Sequence, residues 1–219
     1  MDFETSDILY KSRQTLLTFL KGKGYNTKPY EKFGPFEIEK MASNDKEKAL
    51  NMELVRELPA ESSLPTICRV EYAIPRVKNR LAGFLRKLLV NDETGEDLID
   101  AKKTEIIVIT LEAIGDTFHS AALSQWAKKN IRIAFFDART LMSNPLDHVL
   151  VPKHEIVPDD EHAELLKTYH MKSKTNLPII RFHEDIIARL LGLIPGSIVK
   201  ITRPSPSAGI YTVYRVCAP

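Results

Sequence analysis

Cysteine is almost missing from this chain of 219 residues: there are 2, Cys68 and Cys217, far apart and in no C-x-x-C pair. Neither a zinc site nor a disulfide framework can be built from them, and a reducing compartment suits such usage best. Long apolar stretches are missing too. No uninterrupted run is longer than that from Ile106 to Ile109, far short of the ~20 residues that cross a bilayer, so no membrane partner is expected. The acidic start, Met1-Asp2-Phe3-Glu4, leads into no apolar core of the kind a secretory leader needs. Charge of one sign is not in excess, because 31 Lys+Arg against 29 Asp+Glu leave a formal net charge of +2. Bulk attraction therefore does not hold this chain to nucleic acid, and any DNA contact has to be local. There is no internal repeat and no low-complexity segment.

What is present is enough apolar content, 43%, to bury a sizeable core in one or two domains. Leu9, Leu16 and Leu20 share one helical face with Phe19 beside them, and Gly22 and Gly24 are placed to stop that helix. Gly22-Lys23-Gly24 is not a phosphate loop, since it leaves a helix instead of joining a strand to one. Met41 to Pro65 is polar and predicts an exposed connection with one short helical turn at most. Thr66 to Ile74 alternates as a strand and sets Cys68 beside Val70, Tyr72 and Ile74, as a small buried hydrophobe. Pro75 is placed to open a second helix in which Val77, Leu81, Phe84, Leu85 and Leu88 face a core. Arg76, Arg80, Arg86 and Lys87 then fall on a solvated face that could also approach DNA.

Glu105 to Leu111 is continuous and β-branched, as a strand covered on both faces would be. Asp116 or Thr117 offers an N-cap to a helix pointing Ala122, Leu123 and Trp126 inward, and Ile131 to Phe136 supplies the next strand. Strand, helix, strand predicts a parallel pair with a right-handed crossover. The segment after Pro145 is patterned differently. A short strand is expected at His148 to Val151, and a helix with Leu165, Leu166 and Tyr169 after Asp159-Asp160-Glu161. A strand at Ile179 to Phe182 precedes a helix opened by Glu184-Asp185 and stopped by Gly192. A closing hairpin pairs Ile198 to Thr202 with Ile210 to Val216 across the polar loop from Arg203 to Gly209.

That ending carries a resemblance. Arg203-Pro204-Ser205-Pro206-Ser207-Ala208-Gly209 followed by Tyr211, Tyr214 and Arg215, with Val151-Pro152-Lys153-His154 and Leu177-Pro178-Ile179-Ile180 upstream, makes Asp147 to Pro219 similar to one known domain. It resembles the assembly domain of the fifth subunit shared by the eukaryotic nuclear RNA polymerases, a domain that in archaea stands by itself as a small polymerase subunit. The resemblance implies a non-catalytic, two-domain subunit without cofactor or metal. Residues 1–146 would form an α/β jaw domain with a restriction-nuclease-like fold around the parallel strand-helix-strand unit, and residues 147–219 a small α+β assembly domain. Pro152, Lys153, His154, Arg203, Pro204, Gly209, Tyr211, Tyr214 and Arg215 are the expected docking residues toward the largest polymerase subunit and its neighbours. Tyrosines offer large, low-entropy contact area, and the arginines can donate paired hydrogen bonds to carboxylates or carbonyls.

Over the first domain the resemblance is in layout. Thr117-Phe118-His119-Ser120-Ala121 keeps the Thr, Ser and Ala of the family's Thr-Pro-Ser-Ala stretch but lacks its proline and adds a residue. Thr117 and Ser120, with Lys128 and Lys129, are the residues expected near downstream duplex DNA; the first two serve equally well as an ordinary helix cap. Because the archaeal counterpart is the assembly domain alone, a two-domain chain implies a eukaryotic polymerase acting in the nucleus, or one from a large DNA virus acting in a cytoplasmic factory or virion. The divergent jaw leans toward the virus. A rival reading is a restriction-type nuclease, because Asp100-Ala101-Lys102 reproduces an acid-x-Lys spacing used with a second carboxylate to hold Mg²⁺. Here that spacing precedes the buried strand, and no second acid can be assigned.

Overall fold

The chain opens with α1 (Phe3–Gly22), which buries Leu9, Leu16 and Leu20 on one side. It stops as the glycines predict: Gly24 takes a left-handed φ of +87°. Its N–H then reaches Lys21 O at 2.9 Å while Tyr25 N–H reaches Leu20 O at 3.1 Å. These paired bonds satisfy carbonyls that the last turn would otherwise leave orphaned. The computed structural model describes residues 3–44, 48–56, 64–74, 76–91, 96–207 and 209–219, in two units, Met1–Asn144 and Pro145–Pro219.

In the first unit, β1 (Met52–Val55), β2 (Ile67–Ala73), β3 (Thr104–Thr110) and β4 (Arg132–Asp137) form one sheet in that order. β1 runs antiparallel to β2, while β2, β3 and β4 are mutually parallel. Every residue of β3 is buried, the outcome for a strand walled on both faces. Cys68 and Val70 are fully buried on β2, and burial holds the Cys68 thiol well above its ordinary pKa.

Three expectations in this unit need correction. The polar stretch from Met41 to Pro65 is not merely a connection, for α2 (Pro35–Ser43) runs into it and β1 lies inside it. Met52 and Leu54 are buried, but so short an alternation between charged neighbours gives little periodic signal. Residues 45–47 and 57–63 of that stretch lie outside the described residues. The second helix starts later than Pro75, itself outside the described residues: α3 is Leu81–Leu89, after a 3₁₀ turn at Lys78–Arg80. The carboxylate of Glu112 accepts from the backbone N–H groups of Val77 (2.6 Å) and Lys78 (2.9 Å), which holds the preceding segment as a separate turn. Leu81, Leu85 and Leu88 are buried, and Arg76, Arg80, Arg86 and Lys87 are exposed.

The third correction concerns α4 (Asp116–Lys129), whose N-cap is Gly115 with no side-chain cap bond. Asp116 and Thr117 therefore sit within the first turn, and their oxygens do not cap it. The residues driven inward are Phe118 and Ala122, while Leu123 and Trp126 are half-buried. Phe118 packs against Phe135 of β4, with ring centroids 5.2 Å apart and the planes tilted by 55°.

The second unit contains β5 (Lys153–Val157), α5 (His162–Thr168), β6 (Ile179–Arg181), α6 (Ile186–Leu191), β7 (Ile198–Ser205) and β8 (Gly209–Ala218). Its sheet order is β5-β7-β8-β6, with β6 parallel to β8 and the other neighbours antiparallel. α6 is capped as expected: Asp185 accepts from Ile187 N–H at 2.7 Å and Ala188 N–H at 3.3 Å, and Gly192 ends it at φ +72°.

Two boundaries differ from expectation. His148 to Val151 is a turn, closed by Val151 N–H on His148 O at 2.8 Å, and the strand starts only after Pro152. Proline has no N–H for a ladder, so pairing begins at Lys153 opposite Thr202. The hairpin is longer than predicted, because the ladder continues through Arg203–Tyr211, Pro204–Ile210 and Ser205–Gly209. Most of the expected loop is strand, and Ala208 in its remainder lies outside the described residues.

Arg13 is a buried charge that no pattern in the sequence announces. It is 1% exposed, donates to Leu50 O at 2.7 Å, and lies 5.8, 5.9 and 5.7 Å from the rings of Tyr30, Phe33 and Tyr72. Its partners are a carbonyl and three π faces, which together ease the cost of taking a guanidinium out of water. Arg13→Ala should lower the unfolding free energy by about 3 kcal/mol, through a cavity and an unsatisfied carbonyl, and Arg13→Met by less because it refills the space. Urea denaturation compares the two, and unchanged midpoints for both would show that the cage contributes nothing.

Candidate docking groove on the second unit

Antiparallel partners share a face, and neighbours along a strand point to opposite faces. The register of β7 with β8 therefore sorts the predicted residues. Val199, Ile201 and Arg203 share one face with Arg215, Val213 and Tyr211, and His154, opposite Ile201, joins them. Pro204, Ile210 and Tyr214 fall on the other face, as does Lys153, opposite Thr202.

On the first face lies a groove of about 590 Å³ lined by Pro152, His154, Arg203 and Arg215 together with Ile201 and Val213. Its remaining walls come from Leu150 and Val151 on one side and from residues 179–187 on the other. Three stretches distant in sequence thus meet at one surface. Sequence reasoning did not select Arg181, Glu184 or Ile187 for it. β6 itself is expected from the sequence, but its parallel pairing with β8, which brings Arg181 there, leaves no local mark; Glu184 follows it and Ile187 lies on α6.

The groove is built from donors over an aliphatic floor. Arg203 lies 5.3 Å from the Tyr211 ring centroid, which steadies a long side chain at an exposed strand end. Arg215 donates to Ile179 O at 2.9 Å, tying β6 to β8, and Arg181 donates to Pro219 O at 3.3 Å. His154 Nδ1 is 2.6 Å from Pro152 O. A carbonyl only accepts, so Nδ1 carries the hydrogen and Nε2 is the acceptor of the neutral ring. Beneath, burial pushes the Cys217 thiol up to about 12, with nearby Asp185 adding to it, and that thiol is no nucleophile at neutral pH. Burial also lowers Arg189 to about 10, against an opposing effect of Asp185.

Tyr214 and Lys153 belong elsewhere. Tyr214 packs on the buried cluster of Val157, Leu177, Ile198 and Val216, with its ring 5.5 Å from that of Tyr169. Burial, then Tyr169 and Glu161, raises its phenol above the ordinary value. Lys153 pairs with Glu155 at 2.6 Å. Gly209 sits at the turn with φ +70°, a conformation that favours glycine.

In the first unit, Thr117 and Ser120 are exposed on the opening turn of α4, while Lys128 and Lys129 lie at its far end. About 12 Å of helix separates Ser120 from Lys128, and Lys129 is held by Asp97, so the four do not form one cluster. Asp100 accepts from Lys102 N–H at 3.0 Å and pairs with Lys103 at 3.6 Å. Its carboxylate closes its own turn ahead of β3. Among the described residues, no three His, Cys, Asp or Glu side chains are grouped to hold a metal.

A small α+β module that offers a basic, aliphatic-floored groove is the class this geometry defines. Comparison with known proteins narrows it. The family described as RNA polymerase Rpb5, C-terminal domain, matches residues 143–217. The archaeal DNA-directed RNA polymerase subunit Rpo5 of Methanocaldococcus jannaschii is 44% identical over 70 residues, which are 32% of this chain and 87% of that protein. The corresponding protein of Nitrosopumilus maritimus is 48% identical over 69 residues, 32% of this chain and 81% of its own length. The DNA-directed RNA polymerases I, II, and III subunit rpabc1 of Dictyostelium discoideum is 36% identical over 122 residues, covering 55% of this chain and 61% of that relative. The chain belongs to the RNA polymerase Rpb5 family, whose archaeal members are the Rpo5 subunits.

Because Tyr214 is packed and Arg203 is not, their substitutions should separate. Tyr214→Ala should cost about 2 kcal/mol and lower the thermal midpoint of the second unit by several degrees, whereas Arg203→Ala should stay within about 0.5 kcal/mol of the parent. Differential scanning calorimetry on both variants reads this directly. Equal midpoints would contradict the assignment of Tyr214 to the packed face.

Proposed function

We propose that this chain is a non-catalytic subunit of a multisubunit DNA-dependent RNA polymerase, fixed in the enzyme by its second unit. The convergence of Pro152, His154, Arg203 and Arg215 on one groove, inside the segment that the Rpb5 family matches, carries this reading. Residues 147–219 are the assembly domain and dock against the largest subunit and its neighbours. Residues 1–146 form the jaw, which lies near downstream duplex DNA and touches it without reading sequence, through Thr117, Ser120, Lys128 and Lys129. Hydroxyl and ammonium contacts of that kind position a duplex and do not specify it. The site of action is the nucleus, or a cytoplasmic factory or virion if the chain is viral. No helix among the described residues is long and apolar enough to cross a membrane. The relatives named above are all polymerase subunits, and none lends support to the nuclease reading of Asp100 and Lys102.

Purifying the tagged chain from its native source should bring down the largest polymerase subunit in stoichiometric amount. Recovery of the chain without any polymerase subunit would sink the proposal. In the assembled enzyme, replacing Thr117, Ser120, Lys128 and Lys129 together by Ala should weaken crosslinking to downstream DNA while leaving incorporation intact. Incubation of the purified chain with DNA and Mg²⁺ or Mn²⁺ should give no cleavage that Asp100→Ala abolishes.

A further inference from the structure

We infer that the groove on the second unit takes an extended segment of a partner protein carrying two acidic residues four positions apart with an aliphatic residue midway between them. This inference rests on the docking role proposed above and goes further by naming the chemistry of what docks.

The spacing follows from the ladder. Arg203 is level with Tyr211, Ile201 with Val213, and Arg215 with Val199. The two arginines on the groove face are thus offset by four residues along the strands, about 14 Å at a strand's rise per residue. An extended chain laid along the same direction has the same rise, and its residues at even spacing point one way. Side chains at positions one and five then reach Arg215 and Arg203, and position three falls over Ile201 and Val213.

The charge follows from what the groove's own groups already do. Among the described residues, Arg203, Arg215 and Arg181 pair with no carboxylate; a tyrosine ring and two backbone carbonyls occupy them instead. Asp185, one of the two acids lining the groove, spends its oxygen on the first turn of α6, which leaves Glu184 at the rim. Basic donors therefore exceed acids, and each guanidinium keeps N–H groups for a carboxylate fork. Ile180, Ile187, Ile201 and Val213 supply the floor. Aliphatic side chains give nucleobases no stacking platform, so the floor favours a peptide over a nucleic acid strand. Leu150, 82% exposed at the rim, is the apolar surface that such a segment would cover.

The test places a photo-crosslinking phenylalanine analogue at position 150 of the tagged full chain and irradiates the polymerase purified with it. The crosslinked peptide is then sequenced. The expected product is a segment of another polymerase subunit with two acidic residues four apart around an aliphatic one. Arg203→Glu should reduce its yield at least fivefold, and an acid-to-arginine change in the partner's segment should restore it. Crosslinking to nucleic acid, to a second copy of this chain or to a segment without that pattern would overturn the inference, and so would a yield indifferent to Arg203→Glu. If no polymerase subunit co-purifies at all, the proposed function fails; if polymerase is recovered but the crosslink falls on something else, only the present inference does.

Discussion

The register between β7 and β8 is the constraint on which the rest of the second unit depends. It runs from Ile198 opposite Val216 to Ser205 opposite Gly209, and those strands are the two central ones of the sheet. A slip of one residue would exchange the faces. Val216 would leave the buried cluster with Val157, Leu177 and Ile198, and Arg215 would be driven in among apolar neighbours. The cost of burying that charge is what fixes the groove's composition, because the packed face cannot accept the residues that the open face displays.

The titratable groups that burial perturbs most are not arranged for chemistry. Cys68 and Cys217 are held as thiols. At the start of β3, Glu105 is 6% exposed and pairs with Lys23 at 3.6 Å, with Tyr25 raised chiefly by its own burial and next by Glu105. Arg132 is lowered by burial, and Glu105 opposes that shift. These groups brace the foot of a parallel sheet from within. The donors of the second unit's groove, by contrast, are arginines, which suit recognition.

How much of this was legible in the sequence depended on period and length. α1, β3, β4, α6 and the hairpin showed themselves because their apolar spacing runs long enough and their stops are chemical: Gly24, Gly192 and the Asp185 cap. β1 failed that test at Met52–Val55. α4's start was misplaced because Gly115, which leaves no side-chain mark, sits at the cap instead of Asp116 or Thr117. In the groove, Pro152, His154, Arg203 and Arg215 were selected through motif resemblance, and the structure brings these four together. Tyr214 was grouped with them although it adjoins Arg215. The period of two in a strand already sends such neighbours to opposite sides. Arg181 and Ile187 lie in a strand and a helix that the sequence does mark, but their place in the groove has no local signal, since it depends on the pairing of β6 with β8 and on α6 following it.

The order of strands also bears on how the protein is made. Among the described residues, β5 and β6 are the edges of their sheet, and each pairs with a strand synthesised after it, β7 or β8. Until β8 has left the ribosome, β6 has no partner and β7 has only one of its two, and the walls of the groove at 150–154 and 179–187 remain apart. Sheet formation here cannot proceed piecemeal behind translation, in the manner of a chain whose early strands pair with one another. A nascent chain interrupted before β8 would therefore present no groove to any partner. The topology makes synthesis of β8 a precondition for the groove.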